Sequence, residues 1–310
     1  MPPLPQSPPP RNRDAACRPA RRRLLASALA GAALGPRVLQ AAPSLVEEVP
    51  YVQTPQNVVD AILALADVGP GDRLVDLGSG DGRIVITAAQ RLGASGLGVE
   101  IDPALVGVAR KAAEAAGVGE RARFVTQDLF ETDISSATVV TMYLLPQVNL
   151  ALRPRLLETL APGTRVVSHD WDMGDWEPDR SLTMPAPGKR VGMVKESTLH
   201  LWIVPARVDG DWLLQLPPAD GAGAAARPRR LRMSFAQAFQ RARVALSGEV
   251  RGEPRGRGSA RISGAKLELE LELDGRALRL AGEADGDRIG GSVEGPGGGR
   301  WEARRLAAKP

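Results

Sequence analysis

The sequence predicts an α/β protein with two folded parts: a mostly parallel sheet covered by helices, and after it an antiparallel β-rich region. Three observations predict this arrangement. A strand, a glycine-rich loop and a helix follow one another over residues 73–92. Strand-like and helix-like segments alternate up to residue 204, as in parallel sheets. Beyond that point, short segments alternate between apolar and polar residues, which is typical of antiparallel strands.

The composition indicates a folded chain without a broad nucleic-acid-binding surface. With 310 residues, 43% of them hydrophobic, the chain is long enough for two domains. Aromatic residues make up 4%, too few for a surface that stacks on single-stranded nucleic acid. The net charge of +4 arises in residues 1–40, which hold seven Arg and one acid; the rest of the chain has 33 basic and 35 acidic residues. We therefore predict no nucleic-acid partner.

Metal-binding and membrane-spanning patterns are missing from the sequence. The one cysteine, Cys17, excludes a disulfide framework, and the two histidines, His169 and His200, are too few for a His-rich metal site. No apolar run reaches the roughly 18 residues that a membrane-spanning helix needs. We predict no metal site and no transmembrane helix.

The first 42 residues read as a leader. Arg21, Arg22 and Arg23 precede Leu24, a weakly apolar segment runs to Leu34, and small residues follow at 41–42. The pattern resembles a twin-arginine signal peptide. We expect an exported, periplasmic protein or one associated with the membrane through this leader. A disordered basic tail on a cytoplasmic protein and an organellar presequence are the alternatives.

The glycine loop follows a short buried strand formed by Leu74, Val75 and Leu77. Its pattern is Asp76-x-Gly78-x-Gly80-x-Gly82, and helical periodicity begins at Ile84. Such a loop brings a ligand to a helix N-terminus. It differs from the Gly-x-Gly-x-x-Gly of dinucleotide sites and carries an acid two residues before the first glycine. It resembles motif I of class I S-adenosylmethionine (SAM) methyltransferases, in which the acid faces the ammonium group of SAM.

Two further acids lie at consistent offsets. Glu100 ends the strand Gly96–Ile101, 18 residues after Gly82, where an acid is placed to accept both ribose hydroxyls. Asp128 follows a third strand, and the resemblance implies contact with the adenine amino group. The predicted cofactor-binding set is completed by neighbours of these residues and of the first helix: Ser79, Ile101, Leu129, Tyr51 and Thr54. Tyr51 and Thr54 either touch the methionine end of SAM or only cap and pack.

The remaining elements follow from caps and periodicity. Thr54 is predicted to cap a helix that begins at Pro55 and ends at Gly69–Gly71. Asp102 and Pro103 begin the next helix, which Gly117 ends. The predicted buried side of that helix is Leu105, Val108, Ala109, Ala112 and Ala113. Strands are predicted at 137–143, 164–168 and 198–204, the last antiparallel and carrying His200 as a satisfied histidine, with a helix at 148–160.

Three stretches are similar to one methyltransferase subgroup. They are residues 50–54, 75–85 and 98–106, within a resemblance that covers residues 49–170. The subgroup includes the mitochondrial lysine methyltransferases of the ATP synthase c-subunit and of the adenine nucleotide translocase. The resemblance implies a Rossmann-like, seven-stranded class I methyltransferase sheet, SAM as cofactor and a protein lysine as acceptor. The alternatives are a small-molecule methyltransferase and a non-catalytic, exported SAM-fold binding module.

The chain departs from related enzymes in two places. Met142-Tyr-Leu-Leu-Pro146 stands after the fourth strand, where enzymes that methylate adenine N6 or glutamine carry Asn/Asp-Pro-Pro-Tyr/Phe. We therefore expect neither of those acceptors. The region from residue 207 onward has no counterpart in the mitochondrial enzymes.

Three residues after strands four and five are candidates for catalysis. An amine acceptor must lose a proton before it attacks the methyl group, and carboxylates, tyrosines or water can receive that proton. Tyr143, His169 and Asp170 are the candidates at the expected edge of the sheet. The alternatives are that Tyr143 is only a pocket wall, and that Asp170 caps or holds the loop at 171–176.

The C-terminal region is predicted as an antiparallel meander, a small barrel or half-barrel. Lys266–Leu273 alternates strictly, and Asp274-Gly275 is a hairpin signal. The other predicted strands are 231–235, 244–246, 259–263, 276–280, 288–293 and 300–303, with a turn at 220–221. Glu268, Glu270 and Glu272 give one strand an acidic face, which disfavours phosphate contact. We thus predict a leader at 1–42, a methyltransferase domain at 43–206 and a β-rich domain at 207–310, whose role in docking, dimerisation or packing is left open.

Overall fold

The structure is a computed structural model that describes residues 51–190, 192, 194–218, 227–248, 253–295 and 298–307. The predicted leader with Cys17 and the predicted turn at 220–221 lie outside the described residues. No helix among the described residues is long and apolar enough to cross a membrane.

The first sheet has seven strands in the order β3-β2-β1-β4-β5-β7-β6. Its strands are β1 Arg73–Leu77, β2 Ser95–Glu100, β3 Ala122–Thr126, β4 Val139–Met142, β5 Arg165–His169, β6 Arg180–Pro185 and β7 Glu196–Ile203. The helices of this part are α1 Gln56–Leu65, α2 Arg83–Leu92, α3 Pro103–Ala115 and α4 Pro146–Thr159. Strands β1 to β5 are parallel, and β7 pairs antiparallel with both β5 and β6. The predicted seven-stranded, mostly parallel sheet is confirmed.

The strand at the outer edge of this sheet, β6, is absent from the sequence prediction. Five of its six residues are exposed and the sixth is only partly buried, so it lacks the alternation that marks a half-buried strand. The predicted antiparallel strand at 198–204 is β7, which lies between β5 and β6.

The first helix differs from the prediction at both ends. Pro55 is the N-cap, and its carbonyl accepts hydrogen bonds from the amides of Val58 and Val59. Thr54 does not cap the helix, because its hydroxyl lies 3.4 Å from His169 Nδ1. The helix ends at Leu65, ahead of the predicted Gly69–Gly71 stop, and Asp67 already has a positive φ of 49°.

Helix α3 begins as predicted, but its buried face is narrower than the predicted one. Asp102 accepts a hydrogen bond from the Ala104 amide at 2.7 Å, and Gly117 follows the helix with φ +69°. The prediction that Val108 is buried is wrong, since 52% of its surface is exposed. The buried stripe is Val106, Ala109 and Ala113, a spacing of three and four residues that keeps one face on the sheet.

The C-terminal strands form a closed eight-stranded barrel in the order β10-β11-β12-β13-β14-β15-β8-β9. They are β8 Gly210–Leu216, β9 Arg229–Ala238, β10 Arg241–Gly248, β11 Pro254–Ser263, β12 Lys266–Leu273, β13 Arg276–Asp285, β14 Arg288–Glu294 and β15 Arg300–Arg305. Strand β12 has the predicted bounds, with its leucines inside and its glutamates outside. Strand β8 was not predicted; it closes the barrel by pairing with β15 and β9.

The barrel contacts the first part of the chain through the turn between β9 and β10. Phe239 in this turn stacks on Trp176, with ring centroids 6.1 Å apart. Gln240 donates a hydrogen bond to the Glu177 carbonyl at 2.9 Å. The barrel therefore supports the loop that follows β5. The predicted domain boundary at 206/207 lies between β7 and β8 and stays a prediction.

Candidate active site

The carboxylate of Asp76 lies buried at the end of β1. Only 3% of the residue is exposed, and Thr141 on β4 donates a hydrogen bond to it at 2.7 Å. Burial raises the pKa of this carboxyl to about 7, and the charges of Glu100 and Asp81 add to the effect despite the Thr141 hydrogen bond. Among the described residues no cation compensates Asp76 within the protein, so the carboxylate is suited to a cationic ligand.

The glycine loop follows Asp76, and three of its residues carry no side chain. Gly78, Gly80 and Gly82 have φ values of +80°, +52° and +79°, which glycine adopts without strain. A Cβ on Gly80 would lie 2.4 Å from the Tyr51 ring, and a Cβ on Gly78 would lie 2.9 Å from Leu144. The ring of Tyr51 thus covers the loop on one side, and the residue after Tyr143 borders it on another.

Glu100 is fixed at the rim of the loop. One carboxylate oxygen accepts the Gly80 amide at 2.9 Å, and the other accepts the amides of Ile101 and Asp102 at 2.8 and 3.1 Å. Ile101 beside it is 69% exposed. Asp128, after the neighbouring strand β3, is exposed and accepts the Phe130 amide at 2.8 Å. The predicted ribose and adenine residues therefore follow adjacent strands, with apolar side chains open to a flat ligand.

The three predicted catalytic residues lie together at the ends of β4 and β5. The hydroxyl of Tyr143 donates to Asp170 Oδ2 at 2.9 Å, and its ring stacks on His169 with centroids 3.9 Å apart. Burial, with the adjacent Asp170 charge, raises the pKa of Tyr143 far above its ordinary value. Tyr143 therefore keeps its proton and acts as a hydrogen-bond donor.

The carboxylate of Asp170 is shared among three partners. Its Oδ1 accepts the Thr198 amide at 3.2 Å, and its Oδ2 receives both the Tyr143 hydroxyl and the Lys189 ammonium, the latter at 2.6 Å. Burial favours a higher pKa for Asp170, but Lys189, His169 and these hydrogen bonds outweigh it and hold the pKa below its usual value. Asp170 is therefore ionised near neutral pH.

The alternative role for Asp170 was to hold the loop at 171–176, but its carboxylate contacts Tyr143, Thr198 and Lys189 instead. That loop is held by Asp172, which accepts the Gly174 amide at 3.0 Å, and by Asn149, which donates to the Trp171 carbonyl at 3.2 Å. Lys189 was missed by sequence reasoning, since it lies in the connection between β6 and β7 and β6 itself had no sequence signal.

His169 is fully buried between two hydroxyl groups. Its Nε2 lies 2.7 Å from Ser197 Oγ, and its Nδ1 lies 3.4 Å from Thr54 Oγ1. Burial lowers the pKa of His169, and the attraction of Asp170 does not restore it. The imidazole is therefore neutral near pH 7, with both nitrogens directed at protein hydroxyls rather than at solvent.

The segment 51–54 joins the glycine loop to this cluster. Tyr51 covers Gly80, and Thr54 contacts His169. The Thr54 carbonyl accepts a hydrogen bond at 2.7 Å from Arg83, which pairs with Asp81 in the glycine loop. The two groups of predicted residues therefore share one wall and form a single site at the carboxyl edge of the sheet, where ligands of such sheets bind.

The residues fit SAM. Asp76 is a buried carboxylate without a cationic partner among the described residues, and SAM carries an ammonium group. The buried Ser79 hydroxyl likewise has no hydrogen-bond partner among the described residues, and it lies in the glycine loop. Glu100 offers a fixed carboxylate for hydroxyl groups. Fold and site together define a class I SAM-dependent methyltransferase.

Comparison with known proteins gives the family. A family model described as "ANTKMT methyltransferase domain" matches residues 76–180. A protein-lysine N-methyltransferase of Saccharolobus islandicus is 48% identical over 136 residues, which cover 44% of this chain and 84% of the archaeal protein. The chain belongs to the ANTKMT methyltransferase-domain family, and it is a SAM-dependent methyltransferase. The resemblance predicted from the glycine loop is confirmed.

Two other relatives extend the comparison. The adenine nucleotide translocase lysine N-methyltransferase of Mus musculus is 35% identical over 155 residues, 50% of this chain and 62% of the mouse enzyme. The chain thus spans less than two thirds of that relative. The solved structure of an RNA methyltransferase from Salinibacter ruber in complex with S-adenosyl-L-homocysteine is 56% identical in sequence, with a TM-score of 0.46. The match covers 51% of this chain and 96% of the Salinibacter chain.

Proposed function

We propose that this enzyme transfers the methyl group of SAM to the ε-amino group of a lysine in a protein acceptor. The observation that carries the proposal is the ionised carboxylate of Asp170, held by Tyr143 beside the glycine loop. A fixed carboxylate recognises an alkylammonium group through charge-assisted hydrogen bonds, and it repels anionic acceptors. The names of the archaeal and mouse relatives support the same acceptor class.

Each residue has a defined task in this proposal. SAM, when bound, supplies an electrophilic methyl group on its sulfonium. Asp76 and Glu100 hold the donor, and Asp170 Oδ2 binds the acceptor ammonium and receives its proton. Asp170 is partly exposed, with 15% of its side chain accessible, so the proton passes on to water. Placement of the acceptor is the main contribution of the chain, worth about 7–11 kcal/mol in well-oriented systems.

His169 and Trp171 support the acceptor side of this site. The buried imidazole of His169 stacks on Tyr143 and fixes the direction of its hydroxyl. We assign His169 to positioning because both of its nitrogens face protein hydroxyls. Trp171, 43% exposed and next to Asp170, offers an apolar surface for the methylene stem of a lysine.

A labelled-methyl assay tests the acceptor class. The full chain is incubated with methyl-labelled SAM and, separately, a lysine-rich protein, total RNA and free lysine, each also with Asp170→Asn. We expect acid-stable label in the protein, recovered as methyl-lysine after hydrolysis and strongly reduced by Asp170→Asn. Label in RNA or in free lysine, with none in protein, would contradict the proposal.

We further propose that residues 1–42 direct the protein to the export pathway or to the membrane. The arginine triplet and the weakly apolar segment after it support this assignment. Residues 1–45 fused to a reporter should place the reporter in the periplasm or on the membrane. An uncleaved reporter that stays in the cytoplasm would count against it.

A further inference from the structure

We propose that Lys189 is a resident internal ligand of the acceptor site, and that a substrate lysine binds by displacing it from Asp170. The inference rests on the proposed function. It adds that the site holds one of the chain's own lysines, which competes with the acceptor for the same carboxylate.

The first support is the set of acceptors around the Lys189 ammonium. Its Nζ lies 2.6 Å from Asp170 Oδ2, the same oxygen that accepts the Tyr143 hydroxyl, and 2.7 Å from the Glu196 carbonyl. Only 12% of the Lys189 side chain is exposed. A carboxylate and a backbone carbonyl are the acceptors that a lysine ammonium needs, so Lys189 occupies the place an acceptor ammonium requires.

The second support is the way Lys189 reaches the site. It lies in a turn between the end of β6 and the start of β7, where its amide donates to the Ala186 carbonyl at 2.9 Å. The turn packs on the start of α1 through its neighbour: a Cβ on Gly188 would lie 3.4 Å from Pro55, the N-cap of that helix. Lys189 is therefore carried by a connection and not by the rigid sheet, and a turn can withdraw a side chain without breaking the strand ladder.

The third support is the charge balance of an exchange. Leaving a largely buried carboxylate unpaired is costly, because its charge loses its partner and only 15% of the Asp170 side chain is accessible to water. When an acceptor ammonium replaces the Lys189 ammonium, Asp170 stays paired throughout. The Lys189 ammonium then moves outward into water, where a charged head on a flexible stem is well solvated. The exchange therefore needs little net free energy.

Competition and a positioning role predict different kinetics. If Lys189 fills the site, the apparent acceptor affinity equals the intrinsic affinity multiplied by the fraction of enzyme whose site is free. Removing its ammonium should then lower the acceptor KM, without a fall in kcat. If Lys189 instead fixes Asp170 for catalysis, its removal should lower kcat and shift the pH profile.

The test compares Lys189→Met with Lys111→Met in the full chain. Methionine keeps an unbranched stem and removes the charge, and Lys111 is an exposed lysine on α3 that serves as the matched control. KM and kcat are measured with a lysine-containing peptide, and SAM binding by calorimetry. We expect KM to fall about tenfold for Lys189→Met if Lys189 fills the site nine times in ten, with no change for Lys111→Met. An unchanged KM with a reduced kcat would overturn the inference.

A binding measurement separates this inference from the acceptor class. n-Butylammonium is titrated into wild type and Lys189→Met in the presence of S-adenosylhomocysteine, without any turnover. We expect binding to the variant at least about tenfold tighter than to wild type, even if the natural acceptor is not a protein lysine. No n-butylammonium binding by the folded variant would overturn the inference, whereas tight binding without peptide methylation would contradict only the proposed acceptor.

Discussion

Tyr143 and Asp170 meet through one hydrogen bond, in which the phenol donates to the carboxylate at 2.9 Å. The two residues follow neighbouring parallel strands, β4 and β5, so the sheet itself sets their separation. The pKa of Tyr143 is raised and that of Asp170 is lowered, so the proton lies on the phenol and the charge on the carboxylate. In the proposed function, this pair binds the methyl acceptor.

Tyr143→Phe should lower turnover by at least about tenfold, because a hydrogen bond to a charged group is worth about 1.5–3 kcal/mol and each step of about 1.4 kcal/mol is a factor of ten. Phenylalanine keeps the stacking on His169 and removes only the hydroxyl that orients Asp170. SAM affinity should stay the same, because Tyr143 does not touch the buried carboxylate of Asp76. The measurement is kcat beside a calorimetric Kd, and an unchanged kcat would remove Tyr143 from the mechanism.

Asp170→Asn should raise the acceptor KM by at least about tenfold, because it replaces a charge-assisted contact by a neutral one. Asparagine keeps the size of the side chain and an oxygen for the Thr198 amide. Asp172→Asn, two residues along the same loop, is the matched control and should leave KM unchanged. Equal KM values for wild type and Asp170→Asn would show that the carboxylate does not bind the acceptor.

SAM affinity should increase as pH rises from about 6 to 8. The pKa of Asp76 is raised to about 7 in the unliganded protein, chiefly by burial, so part of the population is protonated near neutrality. A cationic ligand binds the ionised form, and its binding should release a proton from Asp76. Calorimetry in buffers of different ionisation enthalpy measures that release.

The raised pKa of Asp76 also makes folding stability depend on pH in a defined direction. Because the pKa of Asp76 is higher in the folded protein than in the unfolded chain, its contribution is fully present below the ordinary pKa and is lost as pH rises through about 7. Asp76→Asn should remove this part of the pH dependence from thermal unfolding, and it should weaken SAM binding most above about pH 7, where Asp76 is ionised. A parallel pH dependence in wild type and variant would contradict the assignment.

Phe239→Ala tests whether the barrel affects the acceptor site. The ring of Phe239 stacks on Trp176, and the Arg153 guanidinium lies 5.4 Å from its centre. Its loss should cost about 1–3 kcal/mol of stability and raise the acceptor KM more than the Kd of SAM. Val293→Ala, inside the barrel, is the control that should lower the melting temperature without changing KM. If both variants change KM alike, the contact with Trp176 has no special role.

Local chemistry predicted the elements that carry strong sequence signals. The glycine loop with Asp76, the Asp102-Pro103 helix start and the strict alternation of β12 all agree with the structure, because in each case neighbouring residues determine the conformation. Two failures have a physical reason. Strand β6 is exposed on both faces and shows no period, and Thr54 leaves its capping role because His169, 115 positions away, offers another partner.

The site shows the same division. The sequence brought Tyr143, His169 and Asp170 to one edge of the sheet, since all three end or follow parallel strands. The sequence did not predict that Lys189 lies at this site. Its contact with Asp170 depends on the antiparallel pairing of β7 with β5 and on the connection between β6 and β7. A contact made by the connection between β6 and β7 follows from tertiary packing, which no local sequence pattern records.

The central claim is that the carboxyl edge of this sheet binds SAM through the glycine loop and Glu100. The most direct measurement is a calorimetric titration of SAM and S-adenosylhomocysteine into the full chain and into Glu100→Ala. We predict micromolar binding that the variant weakens at least about tenfold, since Glu100 would bind the ribose and already holds the Gly80 amide. A folded wild-type protein that binds neither ligand would contradict the account.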